Sequence, residues 1–517
     1  MRHNVLFITA DQWRGDTLGA VGHPLIQTPN LDRLASEGVL FRNHWTQAVP
    51  CGPARASLHT GMYLMNHRSV NNGTPLDARF TNIALEVRKA GYDPVLFGYT
   101  DTSVDPRRLP QHDPRLRTYE GLLSGITPVL NTSNDVKPWL AHLQRHGYGR
   151  LTRENVFLPR PNYPGAENRG ATFPPPIYAK EHSFTGFLTD AALDWLGTRE
   201  GEPWFAHLSY LAPHPPWSVS EPYNSLYDPE SIPRPVRCES LAAEGSQHPV
   251  TQMLHEVLPR REFFPNGDGP AALADERDVL QARATYYGMM TEVDHNLGRL
   301  FDYLRESGQD ERTLIVFTAD HGEQLGDHYL FDKRGYFDGG FHIPLIVRDP
   351  RPTAHGTRGH QIEAFTETID TTPTILDWLG LEVPDQCDGV PLTPFLRGKT
   401  PERWRTEIHW EYDFREISSY QSQIQERFGL YPDQCSLAVL RDHRYKYVHC
   451  TALPPLLFDL QDDPHEFQNL ADDPGCQPQV REYAQKMLSW MMNHRDRTLA
   501  NISYKSGEMK HWKGPRY

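Results

Sequence analysis

The amino-acid sequence predicts an α/β protein with a large, mostly parallel central sheet flanked by helices and a smaller C-terminal α+β domain with an antiparallel sheet. Continuous apolar runs at 5–10 and 313–319 are typical of parallel strands buried on both faces. The segment from Asp275 to Glu306 carries apolar residues at helical spacing and predicts the longest helix. Short predicted strands between 406 and 450, followed by an amphipathic helix over 477–495, indicate the second domain.

The remaining elements of the large domain follow in chain order. A helix is predicted from Thr28 to Ala35, with Thr28 as its cap and Gly38 at its end. Another helix opens at Asp370 and reaches Gly380. Further strands are predicted at 95–98, 204–211 and 343–347, the last with an edge or irregular position at Pro344.

A chain of 517 residues is too long for one compact core, so it divides into regions. A change in composition near 384–397 predicts a catalytic domain over 1–385 and a small domain over 386–495. The polar tail over 496–517, with Trp512 and Tyr517 apart from any core, is expected to be an arm that docks on a neighbouring subunit in a homodimer or homotetramer. Insertions at 102–180 and 213–272, rich in Pro and polar residues, are expected to form the walls of a pocket.

Composition excludes several functional classes. The net charge of −14 argues against a nucleic-acid partner, because no basic surplus neutralises phosphates. No apolar run approaches the roughly 18 residues that span a bilayer, so no membrane partner is expected. The six cysteines are scattered without zinc-type spacing. Because the predicted first strand directly follows Met1-Arg2-His3, we see no signal peptide and expect a cytoplasmic protein.

The stretch from Pro50 to Gly61 concentrates the chemistry. Pro53 suits the first position of a short helix that ends at Gly61, which puts Cys51 and Arg55 on one face. Positive potential at the helix N-terminus favours an anion there. Three residues separate Cys51 from Arg55, whereas a cysteine phosphatase loop has five. The alternative for Cys51 taken alone is a buried free cysteine.

Two of the predicted buried strands end in residues that bind metals. Asp11-Gln12 follows the first strand, and Asp320-His321 follows the strand over 313–319. Ligand sites in open α/β sheets lie beyond these carboxyl ends. Three oxygens and one imidazole nitrogen fit Ca²⁺ or Mn²⁺ better than structural zinc. A turn or helix-cap role is the alternative for each Asp taken singly.

Together these motifs resemble the formylglycine-dependent sulfatases and phosphonate monoester hydrolases of the alkaline phosphatase superfamily. The motifs that carry the resemblance, in order, are Asp11-Gln12, Cys51 to Gly61, Pro213-His214-Pro215-Pro216, Asp320-His321-Gly322-Glu323 with Lys333, and Leu457 to Ala471. The stretch from Met62 to Leu76, together with His321 after Asp320, is similar to the phosphonate monoester hydrolase subgroup. An alkaline phosphatase-like fold is therefore implied.

The resemblance implies a role for each matching residue. Cys51 is the precursor of formylglycine, made by a formylglycine-generating enzyme, and the aldehyde hydrate is the nucleophile. The catalytic positions are Cys51, Arg55, His214 and Lys333. The ligands of one divalent metal ion are Asp11, Gln12, Cys51, Asp320 and His321. Arg55 holds the nucleophile and the anion, His214 is the general acid for the leaving oxygen, and Lys333 neutralises the transferring oxygens. Asn72 and Tyr99 match substrate-contact positions.

Asp101 distinguishes this chain from the subgroup. Phosphonate monoester hydrolases carry Thr two residues after the Tyr, where this chain has Asp101, and we expect Asp101 to line the substrate site. The region between the first strand and the first helix is also short, and in this respect the chain resembles the sulfatases rather than the phosphonate monoester hydrolases.

The expected activity is hydrolysis of small anionic esters, with sulfate monoesters as main substrates. The alternative is a phosphonate monoester or phosphodiester hydrolase with the same machinery. A phosphotransferase that keeps Cys51 as a thiol and a non-catalytic binding protein are the other classes. Asp101 offsets part of the positive charge that Arg55 and Lys333 contribute, so the pocket suits an ester with one negative charge better than an ester with two. We therefore expect aryl sulfate to be turned over best and phosphate monoester worst.

Overall fold

The computed structural model describes residues 3–133, 136–199, 201–265, 267–415, 426–496 and 498–512. The strands are β1 Asn4–Ala10, β2 Val39–Trp45, β3 Ala48–Val49, β4 Pro94–Gly98, β5 Thr127–Asn131, β6 Phe205–Tyr210, β7 Thr313–Thr318, β8 His342–Arg348, β9 His360–Ile362, β10 Thr366–Glu367, β11 Ile408–Asp413, β12 Ser436–Arg441, β13 Tyr445–Cys450, β14 Leu456–Asp459, β15 Ile502–Lys505 and β16 Glu508–His511. The α-helices are α1 Pro29–Glu37, α2 Cys51–Thr60, α3 Leu64–His67, α4 Ile83–Lys89, α5 Lys137–Arg145, α6 Phe184–Leu196, α7 Leu241–Ser246, α8 Pro249–Val257, α9 Glu276–Glu306, α10 Asp338–Phe341, α11 Thr371–Trp378, α12 Thr393–Leu396 and α13 Gln477–Asn493.

The predicted fold class is confirmed. Within the described residues, nine strands form the large sheet in the order β10-β2-β8-β7-β1-β6-β4-β5, with β9 also paired to β2. β1 lies between β6 and β7 and runs parallel to both, as expected of a run that is buried on both faces. Thr9 of β1 is level with Ser209 and with Thr318, so the carboxyl ends of the three strands meet at one edge.

Side chains of β1 alternate between two hydrophobic layers. Leu6 and Ile8 pack in the core beneath α1, α6 and α9, whereas Val5 and Phe7 face α2, α4 and α11. The sheet is therefore covered by helices on both sides, which buries both faces of its central strands.

Pro344 lies at an irregular position of β8, as predicted. β8 is an interior strand antiparallel to β7 and β2, and its pairing with β2 shifts between Phe41 and His44, opposite Pro344. The missing N–H of Pro344 therefore falls at a bulge rather than in a regular ladder.

Two helix starts differ from the predictions. α2 begins at Cys51, so Pro53 is its third residue rather than its first. Thr28 precedes α1 as predicted, but its side chain makes no capping hydrogen bond. The carboxylate of Asp294 on α9 accepts instead from the backbone N–H groups of Asn30 and Leu31, the latter at 2.8 Å.

The smaller sheet has the order β14-β13-β12-β11-β3. β11, β12 and β13 confirm the predicted strands, and α13 confirms the predicted helix. β3 comes from the N-terminal part of the chain and pairs in parallel with β11, Val49 opposite Tyr412. This strand leads directly into α2. The domain boundary at 385/386 stays a prediction.

The tail contains a hairpin that the sequence reasoning missed. β15 and β16 pair antiparallel, and Trp512 beyond them is 60% exposed. Tyr517 lies outside the described residues. Docking of this arm on another subunit stays a prediction. None of the described helices combines the length and apolarity required to cross a membrane.

We expect Asp294→Ala to lower the free energy of unfolding by about 2–3 kcal/mol, because the first turn of α1 loses a charged acceptor and keeps buried N–H groups. Burial raises the pKa of Asp294 to about 6, so its carboxylate is ionised at pH 7.5. Urea unfolding at that pH measures the effect. Asp302→Ala changes an exposed carboxylate on the same helix and should stay within about 0.5 kcal/mol of wild type. Equal effects of the two substitutions would contradict the capping role.

Candidate active site

Cys51 lies at the first position of α2, at the sheet edge where the strands end. Every residue of α2 is buried. The side chain of Asn72 accepts a hydrogen bond from the N–H of Gly52 at 2.8 Å, satisfying a backbone donor that a helix start leaves free. Gly61 ends the helix with a φ of 70°, as predicted. The helix therefore presents Cys51 and Arg55 on one face, towards β1 and β7.

Four predicted metal ligands converge in front of α2. One ligand atom each of Asp11, Cys51, Asp320 and His321 lies within 4.8 Å of all the others. His321 Nε2 is 3.2 Å from Cys51 Sγ and 3.6 Å from an Asp11 oxygen. All four side chains are buried.

The hydrogen bonds of His321 favour a cation at this point. Its Nδ1 donates to the carbonyl of Gly322 at 3.0 Å, and burial lowers the pKa of the imidazole. Nε2 therefore presents a lone pair towards the carboxylates of Asp11 and Asp320. Carboxylate and imidazole lone pairs that converge on one point are the donor set of a divalent metal site, so these residues fit such an ion.

Arg55 joins the two carboxylates. Its Nε donates to Asp320 at 2.9 Å, and one terminal nitrogen donates to Asp11 at 3.1 Å. The other terminal nitrogen donates to the Ser209 hydroxyl at 2.9 Å and to the Tyr99 carbonyl at 3.1 Å. The guanidinium also lies 4.2 Å from the centroid of the Tyr99 ring. In this geometry Arg55 positions the carboxylates; its predicted contact with a substrate anion stays a prediction.

The thiol of Cys51 is a poor nucleophile in this environment. Burial and the Asp11 carboxylate raise its pKa well above the usual range, although Lys333 partly opposes this. Without a bound metal ion, these surroundings therefore favour the thiol form of an unmodified Cys51 over the thiolate.

Gln12 and Lys333 form a second group beside the cluster. Lys333 Nζ donates to Gln12 Oε1 at 2.9 Å and lies 3.0 Å from Asp332. Although burial opposes it, the Asp332 carboxylate raises the pKa of Lys333, so the ammonium is retained. Gln12 reaches the cluster through its backbone N–H, which donates to Asp320, and its side-chain amide bonds Glu323. Metal ligation by Gln12 stays a prediction.

His214 faces Lys333 across the site. Its Nδ1 donates to the Pro215 carbonyl at 2.5 Å, and its Nε2 lies 3.5 Å from Lys333 Nζ. Nε2 therefore carries a lone pair in the direction of the ammonium. Burial and Lys333 lower the pKa of His214 to about 3, so this imidazole is neutral.

A cavity of about 280 Å³ opens over Cys51 and is lined by the three predicted substrate-contact residues Asn72, Tyr99 and Asp101. Tyr99 also donates its hydroxyl to Asp11. The first insertion supplies Tyr119, Glu120, Thr132, Val136, Arg153 and Phe157, which confirms it as a pocket wall. The second insertion contributes His214, Pro215 and Pro216. A larger groove of about 730 Å³ lies elsewhere, between α13 and residues 403–409.

Asp101 is the unusual member of the lining. It is 6% exposed, has a φ of 48°, and its Oδ1 has no hydrogen-bond partner among the described residues. Burial raises the pKa of its carboxyl to about 7 against the effect of Arg55. A buried carboxyl oxygen without a partner at the pocket is costly, and such sites are commonly functional.

The Sulfatase family model matches residues 3–381. The chain belongs to the sulfatase family. A second model, for the C-terminal part of N-sulphoglucosamine sulphohydrolase, matches residues 326–493 of this sulfatase-family chain.

Relatives of this sulfatase-family chain cover nearly its whole length. It is 47% identical over 508 residues to the multifunctional alkaline phosphatase superfamily protein PehA of Trinickia caryophylli, covering 97% of each chain. Its identity to an arylsulfatase of Clostridium perfringens is 26%, covering 94% of each. The phosphonate monoester hydrolase of Agrobacterium radiobacter superposes with a TM-score of 0.95 at 44% identity, covering 99% of this chain and all of that one. The phosphonate monoester hydrolase of Silicibacter pomeroyi superposes with a TM-score of 0.91 at 40% sequence identity, and the match covers both chains completely.

Family membership implies a metal ion and a formylglycine. In this chain the possible metal site is the cluster of Asp11, Cys51, Asp320 and His321, with Cys51 as the modified residue.

Three supporting residues had no role assigned from the sequence. Ser209 accepts from Arg55, Asp332 holds Lys333, and Glu323 binds the Gln12 amide. Glu323 is the last residue of the Asp320-His321-Gly322-Glu323 motif and Asp332 precedes Lys333, so motif context carried a signal for both. Ser209 is one polar residue inside a buried strand, and only the pairing of β6 with β1 brings it to the site.

We expect Asp11→Asn and Asp320→Asn each to lose the bound metal ion and, with it, more than about 100-fold in kcat/KM. Each substitution removes an anionic ligand from a hard-cation site. Metal content by mass spectrometry and the rate are measured on the same samples. Asp302→Asn, at an exposed position on α9, serves as the control. Full metal occupancy and full rate in either variant would contradict the site.

Proposed function

We propose that this sulfatase-family enzyme hydrolyses phosphonate monoesters and phosphodiesters, with sulfate monoesters as further substrates. This order reverses the expectation from the sequence, which put sulfate first. The chain is 40–44% identical to two phosphonate monoester hydrolases over nearly its whole length, but only 26% identical to the arylsulfatase. This difference in sequence identity supports placing phosphonate monoesters first. The geometric support is the charge around Cys51, which suits a substrate with one negative charge.

The charge balance follows from the pairs around the cluster. The cations Arg55, Lys333 and Arg334 balance the carboxylates Asp11, Asp320 and Asp332, with Arg334 2.9 Å from Asp332. A divalent metal ion would then leave an excess of two positive charges. An ionised Asp101 reduces this excess to one. Phosphonate monoesters, phosphodiesters and sulfate monoesters each carry one negative charge, whereas a phosphate monoester carries close to two at neutral pH.

The residues at the strand ends hold the reacting groups in place. Arg55 and the Tyr99 hydroxyl fix the Asp11 carboxylate, and Arg55 with the Gln12 N–H fixes Asp320. A bound divalent cation, Ca²⁺ or Mn²⁺, supplies charge that stabilises the oxygens of the transferring group. The formylglycine derived from Cys51 would, after addition of water to its aldehyde, supply a hydroxyl nucleophile and allow a covalent route in two steps.

Lys333 and His214 serve the leaving-group side. Asp332 and Gln12 hold Lys333 beside His214, which lines the pocket, and from there its ammonium would neutralise an oxygen of the anion. The Nε2 lone pair of His214 lies beside that ammonium. When a substrate anion offsets the charge of Lys333, the pKa of His214 rises, and Nε2 can carry a proton to the leaving oxygen.

The pocket wall suits an aryl or similarly apolar leaving group. Tyr119, Phe157 and Phe184 line the cavity together with Leu211, which offers apolar surface opposite the charged cluster. The walls bury the substrate's organic part and exclude water from the charged groups.

Metal-replete enzyme tests the proposal with a panel of four aryl esters that share one leaving group. We expect kcat/KM to be highest for the phosphonate monoester and phosphodiester, lower for the sulfate and lowest for the phosphate monoester. Peptide mass first establishes that the Cys51 side chain has exchanged its sulfur for an aldehyde oxygen. Cys51→Ala should lose at least about 100-fold on all four esters, which excludes a contaminating hydrolase. A sulfate rate above the phosphonate rate would overturn the proposed order.

We expect Asp101→Asn to raise kcat/KM for the phosphate monoester relative to the phosphonate monoester by about tenfold at pH 8. At that pH the wild-type carboxyl, with a pKa of about 7, is ionised and repels a second substrate charge, whereas Asn does not. The preference should converge between the two enzymes below pH 6, where Asp101 is protonated. Asn72→Ala, at another lining position without a charge, is the control. An unchanged ratio at pH 8 would contradict the charge role of Asp101.

A further inference from the structure

Three histidines form a cluster away from the candidate active site. One ring nitrogen each of His142, His146 and His182 lies within 4.8 Å of the other two. His142 lies on α5, His146 follows one helical turn later at its C-terminal cap, and His182 ends a short turn before α6. Ring centroids are 4.3 Å apart for His142 and His146 and 4.1 Å for His146 and His182.

The hydrogen bonds of these rings leave nitrogen lone pairs available. His146 Nδ1 donates to the His142 carbonyl at 2.9 Å, so its Nε2 carries a lone pair. His182 Nδ1 is 3.0 Å from the Tyr148 hydroxyl oxygen, which also accepts from the N–H of Ala179. Partners of this kind on one ring nitrogen orient the other towards a metal.

His142 provides the second, independent observation. Its Nε2 is shielded from solvent and has no hydrogen-bond partner among the described residues. Burial and the neighbouring imidazoles lower the pKa of His142, and burial with His146 lowers that of His182. Burial thus favours the neutral imidazole in His142 and His182, and neutral imidazole is the form that binds metals. Stacking of the rings alone would leave the buried nitrogen unsatisfied, whereas a metal ion satisfies it.

We propose that His142, His146 and His182 form a second metal site, which takes Zn²⁺ or a similar transition-metal dication. Three imidazole nitrogens suit Zn²⁺, Ni²⁺ or Cu²⁺, whereas Ca²⁺ and Mg²⁺ require oxygen ligands. The fourth position is open to water, since His146 is exposed. Glu181 and Asp190 add negative potential that favours a cation, because both oppose the lowered pKa of His182.

A metal ion at this position would clamp a wall of the substrate pocket. It would join α5 to the segment before α6, where Trp139 of α5 already donates its indole N–H to the His182 carbonyl at 2.8 Å. The Trp139 ring packs against Phe157 and Phe184, at centroid distances of 5.4 and 5.1 Å, and both line the cavity over Cys51. Zn²⁺ binding therefore stabilises the first insertion against the body of the domain.

Zinc content after chelation and reloading with Zn²⁺ alone tests the proposal without reference to activity. We expect His146→Ala to bind one equivalent fewer per chain than wild type, and Asp320→Asn to lose a different equivalent, so that the double variant loses both. His112→Ala removes an exposed histidine of the same insertion and should match wild type. Because His146 is exposed, its replacement leaves the core packing intact, and circular dichroism checks the fold.

Thermal unfolding gives a second readout. Zn²⁺ should raise the melting temperature of the Asp320→Asn enzyme and of the double variant His112→Ala/Asp320→Asn. It should not raise the melting temperature of the double variant His146→Ala/Asp320→Asn. Equal zinc content and equal stabilisation in the His146→Ala and His112→Ala enzymes would overturn the second site. That result would leave the proposed hydrolysis at Cys51 untouched, since the two sites share no residue.

Discussion

The Arg55 guanidinium holds two buried carboxylates, Asp11 and Asp320, at the ends of adjacent strands. Each side chain is at most 1% exposed, so both carboxylates are shielded from bulk solvent. Loss of one partner from a buried ionic network of this kind costs about 3–5 kcal/mol, because an uncompensated charge remains. The position of α2 against β1 and β7 depends on this contact, and with it the position of Cys51.

Both sheets contribute to the placement of Arg55. The parallel pairing of β1 with β6 and β7 brings Asp11, Ser209 and Asp320 to one edge. On the other side of Cys51, β3 pairs with β11 of the smaller sheet. The start of α2 is therefore held between the ends of the large sheet and an edge strand of the small one. Through β11, the C-terminal part of the chain therefore helps to hold a site whose charged groups lie between Asp11 and Arg334.

The pocket combines a rigid floor with walls from long insertions. The floor is the network of Asp11, Arg55, Tyr99 and Asp320, in which almost every polar atom is bonded within the described residues. Asp101 is the exception, with one carboxyl oxygen left without a partner. The bonded network fixes the geometry of the floor. Asp101, whose carboxyl pKa is raised by burial to about 7, is the residue that we propose changes charge with pH.

The sequence by itself determined the fold class, the central strands and the motif residues, because long apolar runs and fixed spacings are local signals. Cys51, Arg55 and Asp320 were found in this way, whereas Lys333 was assigned through the family resemblance. Tertiary structure alone decided what depends on distant contacts: the capping of α1 by Asp294, the pairing of β3 with β11, Ser209 beneath Arg55, and the meeting of His182 with His142. These partners are separated by between 40 and more than 300 residues, and no periodicity or spacing rule connects residues so far apart. Their encounter follows from the order of the strands and from the packing of helices on them.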